Sequence, residues 1–111
     1  MLFRPLGKTG LEVSVIGLGG HWPTQDGRRY DHCFENDEVP EQILANRREV
    51  VAACRQAGIN YLDVTTAAEA LAYGRVLQGC REHFIVGADD YQWSARTLEC
   101  CHPAPLIANV E

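Results

Sequence analysis

The sequence predicts an α/β fold in which a short hairpin precedes repeated strand–helix units. Three observations predict it. Two apolar segments flank a turn bounded by Gly7 and Gly10. A nearly continuous apolar run over residues 13–18 ends at the pair Gly19-Gly20. Beyond it, stretches of helical period alternate with short apolar runs. Repeated βα units imply parallel strands with helices packed outside.

The elements follow in order. Residues 3–6 and 11–13 flank the turn GKTG. Glycine at both ends permits positive φ, so an antiparallel hairpin is expected. The run over 13–18 suits a strand buried on both faces. Residues 21–40 are polar, without a clear period, and read as a long loop. Residues 40–57 are helical: Ile43, Leu44, Val50, Val51, Cys54 and Ala57 share one face, with Arg47, Arg48, Arg55 and Gln56 away from it. Gly58 is a natural stop. Residues 59–64 form a strand, 67–77 a second helix ending before Gly79, and 83–88 a third strand. Residues 91–101 are irregular, and 105–111 resemble a helix start with proline in its first turn. A third strand with an open edge is a liability. The chain therefore reads as the front part of a longer protein.

The 111 residues support one domain, divided as a hairpin over 1–13 and βα units over 14–111. A net charge of −5 argues against a nucleic-acid partner, which calls for a basic patch. No apolar run approaches the roughly 20 residues that span a bilayer, and the N-terminus lacks a secretory h-region, so no membrane partner is expected. The five cysteines show no C-x-x-C spacing, which favours reduced thiols and a cytoplasmic location. Lys8 is the only lysine.

The stretch FRPLGKTGLEVSVIGLGG over residues 3–20 resembles the opening of the aldo-keto reductases, R-x-L-G-x-[ST]-G-L-x-V-S-x-[IL]-G-L-G. AGINYLD (57–63) is similar to that family's second strand, A-G-I-N-x-x-D-T-A. YGRVLQG (73–79) and REHFIVGA (81–88) resemble its second helix and third strand. The four motifs stand in the family's order and cover most of the chain outside the loop.

The resemblance implies the N-terminal part of a (β/α)8 TIM barrel, with the hairpin closing its bottom. Such barrels take about 250 residues, so this chain supplies about three βα units. It also implies NADPH-dependent reduction of a small-molecule aldehyde or ketone, with NADP as cofactor and no metal. The family works with an Asp, a Tyr, a Lys and a His. The phenol protonates the carbonyl oxygen, Lys and Asp tune it, and the His orients the substrate.

Only Asp63 matches, at the C-terminal end of the second strand, where barrel chemistry sits. The family's tyrosine position falls near Thr66, Ala67 or Ala68, and Tyr73 fits the second helix instead. The family's lysine position holds Asp89, and its histidine lies beyond Glu111. Threonine cannot replace a phenol of pKa about 10 as an acid. The resemblance also places Gly19, Gly20, His21 and Trp22 beside the nicotinamide. The groups that grip the adenine end lie late in the family's chain, so residues 1–111 alone are expected to bind NADP weakly or not at all and to be inactive.

Other readings stay open. Asp63 and Asp89, on adjacent strand ends, would serve a non-redox acid–base enzyme or bind a cation. A degenerate barrel would bind a ligand without turnover. Asp63 also suits a cap for the following helix. Asp89-Asp90-Tyr91 with Trp93 forms an active-site lip, with Tyr91 as an alternative acid, or a solvated loop with one buried aromatic. Arg28-Arg29 reads as a loop charge pair or a phosphate contact. Cys100-Cys101-His102 with His32-Cys33 is a poor match for tetrahedral zinc, because adjacent ligands rarely fit. No G-x-G-x-x-G fingerprint is present.

Overall fold

The computed structural model describes residues 1–21 and 38–88. They form a small mixed α/β structure with two helices and two sheets. Residues 22–37 of the expected loop, the irregular 91–101 segment and the helix start at 105–111 lie outside the described residues. So do Trp22, Arg28, Arg29, His32, Cys33, Asp89, Asp90, Tyr91, Trp93, Cys100, Cys101 and His102.

The hairpin forms as the turn chemistry predicts. β1 (Phe3–Pro5) pairs antiparallel with β2 (Glu12–Ser14), Phe3 opposite Ser14. Gly7 and Gly10 take φ of 55° and 79°. The Thr9 hydroxyl donates to the Leu6 carbonyl at 2.6 Å and accepts the Leu11 N–H at 3.2 Å.

The buried strand expected over 13–18 is corrected. Val13 and Ser14 belong to the hairpin, Val15 and Ile16 are more than half exposed, and β3 is only Leu18–Gly19. Asn60 supplies the physical reason. Its Oδ1 accepts the Ser14 N–H at 2.7 Å, and its own N–H donates to Ser14 Oγ at 3.1 Å. Its Nδ2 donates to the Glu12 carbonyl at 2.9 Å. The Ser14 hydroxyl then donates to the Ile16 carbonyl at 2.7 Å, which bends the chain between β2 and β3. Backbone groups that a continuous strand would pair along a ladder are satisfied by side chains instead.

α1 (Glu41–Ala57) has Glu41 in its first turn and Arg55 in its last, both suited to the helix dipole. It closes at Gly58, φ 75°, with Gly58 N–H on the Arg55 carbonyl at 3.1 Å and Ile59 N–H on the Cys54 carbonyl at 2.8 Å. That is a Schellman closure, which needs a left-handed residue at Gly58. Ile43, Leu44, Val51 and Cys54 are buried as the period predicts, but Ala57 is exposed. Arg47 is a second correction: it is buried, not solvated. Its guanidinium donates to the Tyr73 hydroxyl at 3.2 Å and to Asn46 Oδ1, so the charge is carried inward with partners.

β4 (Tyr61–Val64) is the middle strand of a parallel sheet, between β3 and β5 (Ile85–Ala88). Leu18 pairs with Leu62 and Leu62 with Val86, so Gly19, Asp63 and Gly87 share the next level. α2 (Ala67–Val76) falls within one residue of its predicted span. The third strand starts at Ile85 rather than 83, because residues 81–83 form a 3-10 turn that Arg81 closes on the Phe84 carbonyl.

Leu62 and Val64 face the helices and join Ile43, Leu44, Val51, Ala72, Tyr73, Val76 and Phe84 in one core. Both helices therefore cover one face of the sheet. Period-2 alternation puts Tyr61 and Asp63 on the other face. The hairpin is fastened at the N-terminal end of β4 through Asn60. An open groove of about 560 Å³ lies at that same end, lined by Phe3, Ala52, Arg55, Gln56, Asn60 and His83 among others. Among the described residues, no helix is long and apolar enough to cross a membrane.

Candidate functional site

The C-terminal ends of β3 and β4 bring most of the predicted site residues together. Asp63 is exposed. It lies between Gly19 on β3 and Gly87 on β5. Among the described residues, a side chain at Gly19 would meet nothing within 4 Å, which leaves the surface next to Asp63 open on that side. The helix-cap reading of Asp63 is not what the structure shows. Thr66 caps α2 instead, its hydroxyl accepting the Glu69 N–H at 3.2 Å. That role commits Thr66, the residue near the resembled tyrosine position, to holding a helix.

Glu69 completes the cap and reaches further. Its side chain is 4% exposed. Oε2 accepts the Thr65 N–H at 2.7 Å, the Thr65 hydroxyl at 3.2 Å and the Thr66 N–H at 3.3 Å. These bonds lie at the helix N-terminus, where the dipole favours a carboxylate. Oε1 lies 2.6 Å from Nδ1 of His21, whose side chain is 64% exposed.

Gly20 explains how His21 comes so close. A Cβ at residue 20 would lie 2.6 Å from the Asp63 carbonyl oxygen and would overlap the Glu69 carboxylate. Only glycine lets the chain leaving β3 pass between the Asp63 backbone and Glu69. The buried position of Gly20 is thus a close backbone approach, with ordinary φ.

Tyr61 is a second residue that the sequence pattern left unmarked. A Cβ at Gly17 would lie 3.0 Å from Tyr61 Cδ1, and one at Gly87 would overlap the Tyr61 hydroxyl. The ring therefore spans the sheet face opposite the helices, and its hydroxyl stands over the register partner of Asp63. Two signals were available. Tyr61 sits two residues before Asp63 on a strand, hence on one face. T-x-x-E at Thr66 and Glu69 is a capping box.

Chemically, the site holds an exposed carboxylate, a carboxylate-bound imidazole and a half-buried phenol around an open glycine surface. Among the described residues, no three His, Cys, Asp or Glu side chains group to hold a metal ion. Asp89, the other carboxylate expected here, lies outside the described residues, one position after the end of β5. Comparison of the chain with protein-family models, with curated proteins and with solved structures finds no match.

Proposed function

We propose that the protein is an NADPH-dependent oxidoreductase acting on aldehyde or ketone carbonyls, with this chain forming the first strands of an aldo-keto-reductase-like barrel. The observation that carries the reading is Asp63, exposed at the C-terminal end of the middle parallel strand and flanked in register by two glycines. Parallel α/β barrels place their chemistry at that end. Two features support the barrel. Among the described residues β3 and β5 are both edge strands, so the sheet can extend on either side. The Ser14–Asn60 hydrogen bonds join two of the resembled motifs, fastening the hairpin below the strands.

The open surface over Gly19 fits a flat ring beside Asp63. Gly19, Gly20 and His21 would border the nicotinamide, which supplies a hydride when bound. Asp63 would stand at the proton-handling side of the substrate. The reading places the protein in the cytoplasm, where Cys54 and Cys80, both free and buried, stay reduced.

The test is NADPH consumption by the full-length protein with a panel of aldehydes and ketones. Wild type is expected to turn over, and Asp63→Asn to lose about 10²-fold or more in kcat. Failure of the full-length protein to bind any nicotinamide nucleotide overturns the reading.

A further inference from the structure

The resembled proton donor is a tyrosine, and the corresponding segment here is occupied by a helix cap. A carbonyl reductase still has to protonate the oxygen, so the donor must come from another element. Among the described residues, the phenol of Tyr61 and the imidazole of His21 stand at this end of the sheet. The Tyr61 ring is wedged across Gly17 and Gly87 and is half-buried. His21 is the exposed one, and its geometry is specific.

Glu69 uses its two oxygens differently. Oε2 is taken by three donors of the α2 cap, whereas Oε1 has His21 Nδ1 at 2.6 Å. An ionised carboxylate only accepts, so Nδ1 carries a proton and Nε2 is the nitrogen left for chemistry. The same carboxylate is almost wholly buried and held from three sides, so it fixes the ring orientation. Gly20, the residue before His21, passes close to the Asp63 backbone and the Glu69 carboxylate.

We propose that His21 and Glu69 form a proton-transfer pair at the strand mouth. His21 Nε2 exchanges the proton with the substrate oxygen, and Glu69 is the positioning residue. The identity of the substrate rests on the carbonyl-reduction reading. In the reducing direction, a hydride from a reduced nicotinamide reaches the carbonyl carbon and the C=O π pair moves onto oxygen. The Nε2–H bond of the imidazolium breaks to form the new O–H bond. Neutral imidazole remains, with Nδ1–H still on Glu69, and water returns the proton to Nε2. Alcohol oxidation runs the same steps in reverse.

The pair has a spectroscopic signature that needs no turnover. In the ¹⁵N-labelled full-length protein, neutral His21 is expected to carry its proton on Nδ1, read from the imidazole nitrogen shifts and assigned by their loss in His21→Asn. Glu69→Gln inverts this. Three donors at the cap demand the single amide oxygen of Gln, which turns its NH₂ toward His21. Nδ1 then accepts and the proton moves to Nε2, while the cap survives. On the kinetic side, His21→Asn is expected to lower kcat for carbonyl reduction about 10²–10⁴-fold.

A wild-type His21 protonated on Nε2, or a tautomer unmoved by Glu69→Gln, overturns the pair. An unchanged kcat in His21→Asn overturns its role as donor. If the tautomers behave as expected but the wild type reduces no carbonyl, the carbonyl-reduction reading falls and the acid–base pair stands.

Discussion

The two ends of the parallel strands are built on opposite terms. At the N-terminal end, Asn60 binds Ser14 and Glu12 through neutral hydrogen bonds that stitch the hairpin to β4. At the C-terminal end, a buried carboxylate holds an exposed imidazole, and an exposed Asp63 stands over open glycine surface. One end ties sequence-distant backbone together with uncharged groups. The other joins a carboxylate to an imidazole and leaves space beside Asp63. The open groove lined by Arg55 and His83 belongs to the first end. The proposed chemistry lies at the second end.

The sharpest way to break the contrast is Gly20→Val. Its side chain would press on the Asp63 carbonyl and the Glu69 carboxylate, neither free to retreat. A loss of about 3 kcal/mol is expected, the upper range for overpacking, read from the urea midpoint. His21 should also lose its contact with Glu69, visible in the imidazole shifts.

Asn60→Ala attacks the other end. It strands the Ser14 N–H, which belongs to a buried residue, and frees the hairpin from β4. A loss of about 2 kcal/mol is expected, within the cost of leaving a buried donor unmade. The His21 shifts should not move, because the cap of α2 is untouched. Movement of those shifts would show the two ends to be coupled.

Much of the difference between the ends was legible in the sequence, and the misses have physical causes. The hairpin followed from GKTG, the first helix from its apolar period, the end of the second from Gly79, and Asp63 from its place at a strand end. The run over 13–18 misled because apolar content alone does not report Ser14, whose hydrogen bonds to Asn60 and Ile16 end the strand. Arg47 misled because charge predicts exposure, and its burial depends on a phenol 26 residues away. Glu69 lay in a readable T-x-x-E box, yet its contact with His21 depends on Gly20, which links two elements far apart in sequence.

The smallest expected effect lies in the helical layer outside both ends. Burial raises the Tyr73 phenol above its ordinary value, although Arg47 pulls the other way, and burial also raises the Cys54 thiol. The folded state therefore holds these protons more tightly than the unfolded chain. Their stabilisation is complete below the ordinary values of 9.0 for Cys54 and 10.0 for Tyr73. It is lost as pH rises through those values toward the folded ones. Urea midpoints taken across alkaline pH should fall, and Tyr73→Phe should flatten the part of that fall above the tyrosine value. At neutral pH the same variant should cost about 1 kcal/mol, the net worth of one hydrogen bond.

The claim that function resides at the C-terminal strand ends is tested most directly by nucleotide binding in two filled variants. Gly19→Leu adds bulk where a Cβ meets nothing within 4 Å, so the fold should tolerate it. Ala52→Trp fills the groove at the opposite end. Titration of NADPH fluorescence in the full-length protein should show binding lost in Gly19→Leu, with an unchanged urea midpoint, and kept in Ala52→Trp. Binding kept in Gly19→Leu and lost in Ala52→Trp would contradict the account.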